Sequence, residues 1–284
     1  MTRTVVRLEL AERSAQNARY LVHLEDEGRV EAVVYRQDTV CLSTQVGCAV
    51  ACPFCASGQN GLSRNLTFEE MRDTLDALLS DHALKRVTLS GVGEPLHNPA
   101  SVAMLDECRR RDLGLSLTTS GGPLRRLEAW LRRPHRGLTI SVHAGTEAVR
   151  RKAVPKGPAL EPLFQCLAAT LPALSRRRQK KTALAYLLVR GLNDGRDELE
   201  AFATRVSALP VQPAVHLYAL NAIEGGAFQA VARSAYEAAY ARLSAHGLRV
   251  RMSSTARIQA NGGCGTLVAR RAKRDTRRLR VHPA

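Results

Sequence analysis

Four of the seven cysteines in this 284-residue chain fall in one stretch, CLSTQVGCAVACPFC, from Cys41 to Cys55. Three of them, Cys48, Cys52 and Cys55, are spaced C-x3-C-x2-C. Thiolates are soft ligands that suit iron-sulfur clusters and zinc. Three on one tight loop can hold three irons of a [4Fe-4S] cube, which leaves the fourth iron without a protein ligand. Zinc is the competing reading, with Cys41 as fourth ligand, although the x3 gap and the six residues between Cys41 and Cys48 are unlike the common zinc-knuckle spacings. Disulfides are less expected. The N-terminal MTRTVVRLELAERS has no apolar core followed by small residues, so no signal peptide is read, and cytoplasmic thiols stay reduced.

A loop of ligands needs a frame. Residues 4–43 alternate apolar and polar in TVVRLEL, ARYLVHLE and RVEAVVYRQDTVCLS, the period of β-strands joined by polar turns. After Cys55 the period lengthens. TFEEMRDTLDALLS reads as a helix, with Thr67 at its N-cap and Glu70 three residues on, a capping box. Strand and helix then alternate about six times, with strands at KRVTLSG, GLSLTTSG, GLTISVHA, TALAYLLV, AVHLYAL and LRVRM. Helices are expected near 146–152 and 160–175, and a long one from Ala227, closed by Gly247. This alternation predicts a parallel sheet. The polar stretches SGVGEP, TTSGG, SVHAG, RGLND and ALNAIEG all follow strands, where a (β/α) barrel collects its active site. No G-x-G-x-x-G opens a helix after the first strand, which disfavours a doubly wound sheet. The expected fold class is α/β, a partial (β/α)6 TIM-like barrel. Residues 1–40 form a small N-terminal β extension, 41–268 the barrel core and 269–284 a basic C-terminal tail.

One strand after the cysteines stands SGVGEPLHN. Glycine there lets backbone approach a ligand closely, and Glu94 offers a carboxylate to an ammonium group. An open iron chelates the amino and carboxylate groups of S-adenosylmethionine. A C-x3-C-x2-C loop after a strand of a partial barrel resembles the radical-SAM superfamily. The string CLSTQVGCAVACPFCASGQNGLSRNLT, followed in order by GVGEPLHN, LTTSG, SVHA, VPK, GLND and GGCGTL, resembles the RlmN/Cfr family of radical-SAM RNA methyltransferases over roughly residues 30–268.

That resemblance implies a partial barrel of radical-SAM type. It implies methylation of an unactivated ring carbon of adenosine, C2 or C8, in rRNA and/or tRNA. It implies a [4Fe-4S] cluster on Cys48, Cys52 and Cys55, two S-adenosylmethionines per turnover, and a reducing donor such as flavodoxin or ferredoxin. Gly93, Glu94 and Pro95, with Ser120, Ser141 and Asn221, would bind S-adenosylmethionine, and His143 would line the site. Cys264 in GGCGTL would carry the methyl group to the base. Cys41, seven residues before Cys48, would attack the sulfur and release the product, leaving a disulfide. Adenine C2 is neither acidic nor nucleophilic, so polar methyl transfer does not reach it. Radical addition does, and it needs a covalent carrier that a second thiol can release. Cys108 and Cys166, in predicted helices and outside any motif, read as structural thiols.

The charge agrees with a polyanionic partner. Lys and Arg number 42 against 26 Asp and Glu, a net charge of +16 and a pI near 10.3. The arginines come in knots, at Arg109–Arg111, Arg176–Lys181 and in the tail, where seven of the last fifteen residues are basic. Family members usually carry a helical RNA-binding domain before the barrel, whereas forty residues precede Cys41 here. The basic knots are expected to supply the phosphate contacts instead. Aromatic residues are 4% of the chain, too few for an extended base-stacking platform. No apolar run reaches the roughly 18 residues of a membrane span, and the protein is expected to be cytoplasmic and monomeric. Two alternatives remain: the same chemistry on a non-RNA substrate, and a non-catalytic RNA-binding protein with a structural metal.

Overall fold

The computed structural model describes residues 5–221, 223, 226–253 and 266–268. Cys264 and the expected tail 269–284 lie outside the described residues. Three antiparallel strands come first: β1 (Val6–Arg13), β2 (Asn17–Leu24) and β3 (Arg29–Tyr35). β3 turns back into β4 (Thr39–Leu42). The cysteine loop follows, between β5 (Gln45–Gly47) and β6 (Leu62–Asn65), which pair antiparallel, with the single turn of α1 (Ala56–Gln59) inside it. Helix α2 (Phe68–Asp81) leads to β7 (Arg86–Leu89), which lies parallel beside β4.

Five further units complete the barrel. They are α3 (Ala100–Arg110) and β8 (Gly114–Thr119), α4 (Leu124–Arg132) and β9 (Gly137–Ser141), then α5 (Glu147–Ala153), α6 (Leu160–Thr170) and α7 (Arg176–Gln179) before β10 (Thr182–Leu188). Helix α8 (Arg196–Ser207) precedes β11 (Ala214–Ala219), and α9 (Arg233–Ala245) precedes β12 (Val250–Met252). The sheet runs β1-β2-β3-β4-β7-β8-β9-β10-β11-β12. Within this sheet β4 and the strands from β7 to β12 are parallel and do not close, so the fold is α/β with an open, partial barrel, and the N-terminal strands continue the same sheet.

Alternation along the strands sorts the two faces. In β8, Leu115 and Leu117 are buried against the helices, and in β9 Leu138 and Ile140 are. Truncating one of these to alanine costs about 2–5 kcal/mol. The residues between them are half-buried, and Thr118, Ser141 and Leu187 line an open pocket. Small and polar side chains inside the barrel therefore leave room for a ligand.

Local signals fix several boundaries. The capping box of α2 is present: Glu70 N–H donates to Thr67 Oγ1 (3.1 Å) and Thr67 N–H to Glu70 Oε2 (2.8 Å). The helix expected over 160–175 stops at Thr170, with a 3₁₀ turn at Leu171–Ala173, because Pro172 cannot continue the α pattern. The helix expected from Ala227 begins only at Arg233. Phe228 packs edge-on against Phe54 of the cysteine loop (centroids 6.5 Å), and Gln229 O accepts Arg190 N–H (3.0 Å), so tertiary contacts override helical propensity there. Gly247 takes φ +75° after α9, the left-handed end that glycine favours. Cys108 is fully buried, and burial pushes its thiol up to about 12, as expected of a structural cysteine; Cys166 is half-buried. Among the described residues no helix is long and apolar enough to cross a membrane.

Candidate active site

The loop that carries the three cysteines is pinned at both ends and folded tightly between them. The β5–β6 ladder opposes Gln45 to Asn65 and Val46 to Arg64. Gly47 has φ +82°, and a Cβ there would lie 1.7 Å from Gly61 O, so no other residue fits. Inside, Cys48 N–H donates to Gly61 O (3.0 Å), Cys55 N–H to Cys52 O (3.1 Å) and Gly58 N–H to Cys55 O (3.0 Å). Cys48, Cys52 and Cys55 all line the pocket at the C-terminal ends of the barrel strands, a space of about 1130 Å³ including its open mouth.

The donor set tests which group fits. Burial, then the neighbouring Glu94 and Cys55, push the Cys48 thiol up to about 12. Burial, then Cys55 and Cys48, push Cys52 well above the usual thiol range. These thiols become thiolates when a cationic centre reverses that balance. Among the described residues no three His, Cys, Asp or Glu side chains are gathered to hold a single metal ion. Three soft sulfur donors that line one pocket fit a cysteine-held iron-sulfur cube.

Glu94 stands across the pocket from the loop, after β7. Its Oε1 accepts Thr119 Oγ1 (2.5 Å) and Leu96 N–H (3.0 Å), and its Oε2 accepts Ser120 N–H (2.7 Å). Gln45 Oε1 takes the Glu94 N–H (2.7 Å), which ties this carboxylate to the cysteine loop. A carboxylate has about four acceptor positions, so these three bonds orient Glu94, which lines the pocket, and leave one position open. Ser120, Ser141 and Asn221 line the same space from the ends of β8, β9 and β11, and the buried Ser120 Oγ has no hydrogen-bond partner among the described residues. That orphaned hydroxyl, opposite three thiols, fits a polar ligand. Gly93 also lines the pocket, at φ +110°, but a Cβ there would strike Gln45 and Thr44 at 2.7–2.8 Å. Packing against the loop demands the glycine. Pro95 is not among the lining residues; it is buried behind Glu94, at the start of a 3₁₀ turn.

Arg150, which sequence reasoning did not single out, and His143, which it expected to line the site, hold this arrangement. Arg150 is 1% exposed, and among the described residues no carboxylate is bonded to it. Its guanidinium donates to Ser141 O (2.7 Å), Val142 O (2.8 Å), Ser120 O (2.9 Å) and Pro158 O (3.0 Å), so one side chain gathers the ends of β8 and β9. Burial pulls it down to about 10, and the field of Cys52 pulls it back up. His143 lines the pocket with φ +55°, stacks edge-on with Phe54 at 5.6 Å, and accepts Leu187 N–H at Nδ1 (3.0 Å). Burial and then Arg150 push it down to about 3, so the ring is neutral.

Cys41 is buried on β4, just behind the pocket wall. Its Sγ lies 3.2 Å from Ser90 Oγ, and Ser90 lines the pocket. The chain just after Cys264 reaches the same place. Leu267 lines the pocket, its carbonyl accepts Ser57 Oγ (2.7 Å), and Val268 N–H donates to Glu31 Oε2 (2.9 Å). Glu31, on β3, is 4% exposed, and Arg19 binds its other oxygen at 2.6 Å.

An open (β/α) barrel with a three-thiol loop at its mouth defines an enzyme built round a cysteine-held inorganic centre. Residues 42–203 match the family described as the Radical SAM superfamily. A protein of Methylibium petroleiphilum named "Probable RNA methyltransferase" is 32% identical over 96% of this chain and 78% of its own length. One of Parasynechococcus marenigrum named "Probable dual-specificity RNA methyltransferase RlmN" is 32% identical over 88% of this chain and 76% of its own. The crystal structure of a radical SAM methyltransferase from Sphaerobacter thermophilus superposes with a TM-score of 0.78 at 27% identity, covering 93% of this chain and 81% of that one. The chain belongs to the radical SAM superfamily and, within it, to the family of these RlmN-type proteins. Membership of the superfamily implies a [4Fe-4S] cluster and S-adenosylmethionine.

Proposed function

We propose that this protein methylates a ring carbon of adenosine, C2 or C8, in rRNA or tRNA, with Cys264 as methyl carrier and Cys41 as the thiol that releases the product. The observation that carries this is the placement of Cys41 beside Ser90, one side chain from the pocket that Cys48, Cys52, Cys55 and Glu94 share. A buried structural thiol needs no such neighbour. When bound, the cluster and S-adenosylmethionine together supply the one-electron chemistry that opens an unactivated C–H bond. Cys48, Cys52 and Cys55 would hold the cluster. Glu94 would accept the ammonium group of S-adenosylmethionine, Ser120, Ser141 and Asn221 would take its other polar atoms, and Gly93 and Pro95 would shape the turn that presents Glu94. Arg150 holds the strand ends in register, and neutral His143 closes the wall without adding charge.

The domain division follows the chemistry: residues 1–40 brace the site, 41–268 bear it and 269–284 meet the polyanion. The protein would work in the cytoplasm as a monomer, with a reducing partner such as flavodoxin or ferredoxin. The RNA in the relatives' names and the net charge of +16 both support an RNA substrate over a small molecule.

The test is the carrier pair. Cys41→Ala should purify with RNA covalently attached at Cys264, because no thiol remains to release it. Cys264→Ala should carry neither crosslink nor S-methyl group, and the double variant should resemble Cys264→Ala, the non-additive pattern of residues that act in one sequence. Peptide mass spectrometry after RNase digestion reads all three. Full methylation by Cys264→Ala would remove this mechanism.

A further inference from the structure

The base of the barrel, at the N-terminal ends of its strands, carries most of the arginine knots. Five arginines there are paired: Arg86 with Asp38, Arg109 with Asp106, Arg110 and Arg111 with Glu107, and Arg132 with Glu128. Where β9 and β10 begin, the pattern breaks. Arg136, which leads into β9, and Arg176, Arg177, Arg178, Lys180 and Lys181, which lead into β10, make no ion pair among the described residues. The strand register sets Thr182 opposite Leu138, which brings these two distant segments together. Lys181 Nζ reaches His135 O at 3.2 Å.

These charges repel one another. Lys181 is held below its ordinary range by burial and then by Arg177, Arg136 and Arg178. His135 beneath them is 2% exposed, and burial, then Lys181 and Arg178, push it down to about 4. A solvated face that merely carried arginine would be expected to intersperse acids, as the rest of this base does. A concentrated like-charge cluster destabilises the protein that bears it and suits a partner that brings the opposite sign.

We propose that the base of the barrel between β9 and β10 docks the phosphate backbone of RNA. The choice of polyanion rests on the RNA reading above. Ala185 and Leu187, which line the pocket on β10, stand four and six residues beyond Lys181, about 13 to 20 Å along the strand. The substrate would therefore be held at two places, by charge at the base and by shape at the mouth. Backbone phosphates suit these residues better than an acidic protein does. Four arginines within one cluster present planar forks that match phosphate oxygens.

The experiment measures the affinity of the full chain for a labelled single-stranded RNA across a salt series. Arg136→Glu/Arg177→Glu/Lys181→Glu is compared with Arg109→Glu/Arg132→Glu/Arg233→Glu, an equal change of net charge at paired arginines. The corresponding glutamine triple of the first set guards against misfolding. The expected result is at least a tenfold weaker Kd at moderate salt for the base triple. The log–log salt slope should be shallower by about 2, from three lost contacts at about 0.7 each. The control triple should change far less. Equal effects in the two triples, or loss of poly-glutamate binding with RNA binding intact, would overturn the proposal. Methylation is assayed separately: a protein that methylates no RNA yet loses RNA affinity in the base triple would refute the activity and leave the docking surface standing.

Discussion

The two ends of the barrel handle charge in opposite ways. At the mouth, Arg150, Glu94 and Glu31 are buried and have hydrogen-bond partners, most of them on backbone. At the base, six cations stand together with no ion pair among the described residues. Buried groups held by several bonds are rigid and little screened by salt, whereas exposed like charges are neither. The mouth is built to fix positions and the base to attract.

The largest effect that separates them should come from the cysteine loop. Cys48→Ala, Cys52→Ala or Cys55→Ala is expected to abolish cluster iron and cleavage of S-adenosylmethionine while leaving RNA affinity and its salt slope unchanged. Iron analysis and 5′-deoxyadenosine production read the first, titration the second. A single variant with full iron and full cleavage would end the assignment of that residue.

Arg150 comes next. Arg150→Met leaves four carbonyls without their donor, at a cost on the order of 3 kcal/mol or more, and Arg150→Lys should recover part of it. Urea unfolding at low and high salt sharpens the contrast, since this loss should not depend on salt. An unchanged midpoint would mean that the strand ends hold themselves.

The smallest effect is in pH. His135 and His143 are pushed from the ordinary 6.5 down to about 4 and about 3. Below pH 6.5 the unfolded chain takes up protons that the folded chain refuses, so stability is full above 6.5 and falls as pH drops toward 4. Each histidine should contribute about 1 kcal/mol per pH unit in that window. His135→Gln should flatten the profile by one histidine's share. A profile unaltered by that substitution would show that His135 titrates in the fold at the same pH as in the unfolded chain.

What could be read in the sequence was local or ordered along the chain. Thr67 and Glu70 announce α2 because a capping box needs only residues three apart. The cysteine spacing and the polar strand ends sit in motifs, and the structure brings Cys48, Cys52, Cys55, Glu94, Ser120, Ser141 and Asn221 to one pocket. What could not be read depends on partners far along the chain. Arg150 and Arg151 are adjacent and chemically identical, yet one is buried among strand ends and the other exposed. Residues 227–232 have the composition of a helix, but Phe228 is drawn to Phe54. The arginine knots look alike until the fold decides which of them meet a carboxylate.

Glu31 and Val268 touch across 237 residues of sequence. A ribosome must therefore pass Val268 before that bond exists. Until then the side of the pocket that Leu267 lines stands open to the surrounding water. The N-terminal strands wait, already paired with one another, for residues 267 and 268 to arrive. A transcript cut short before Leu267 encodes a barrel that lacks part of its wall.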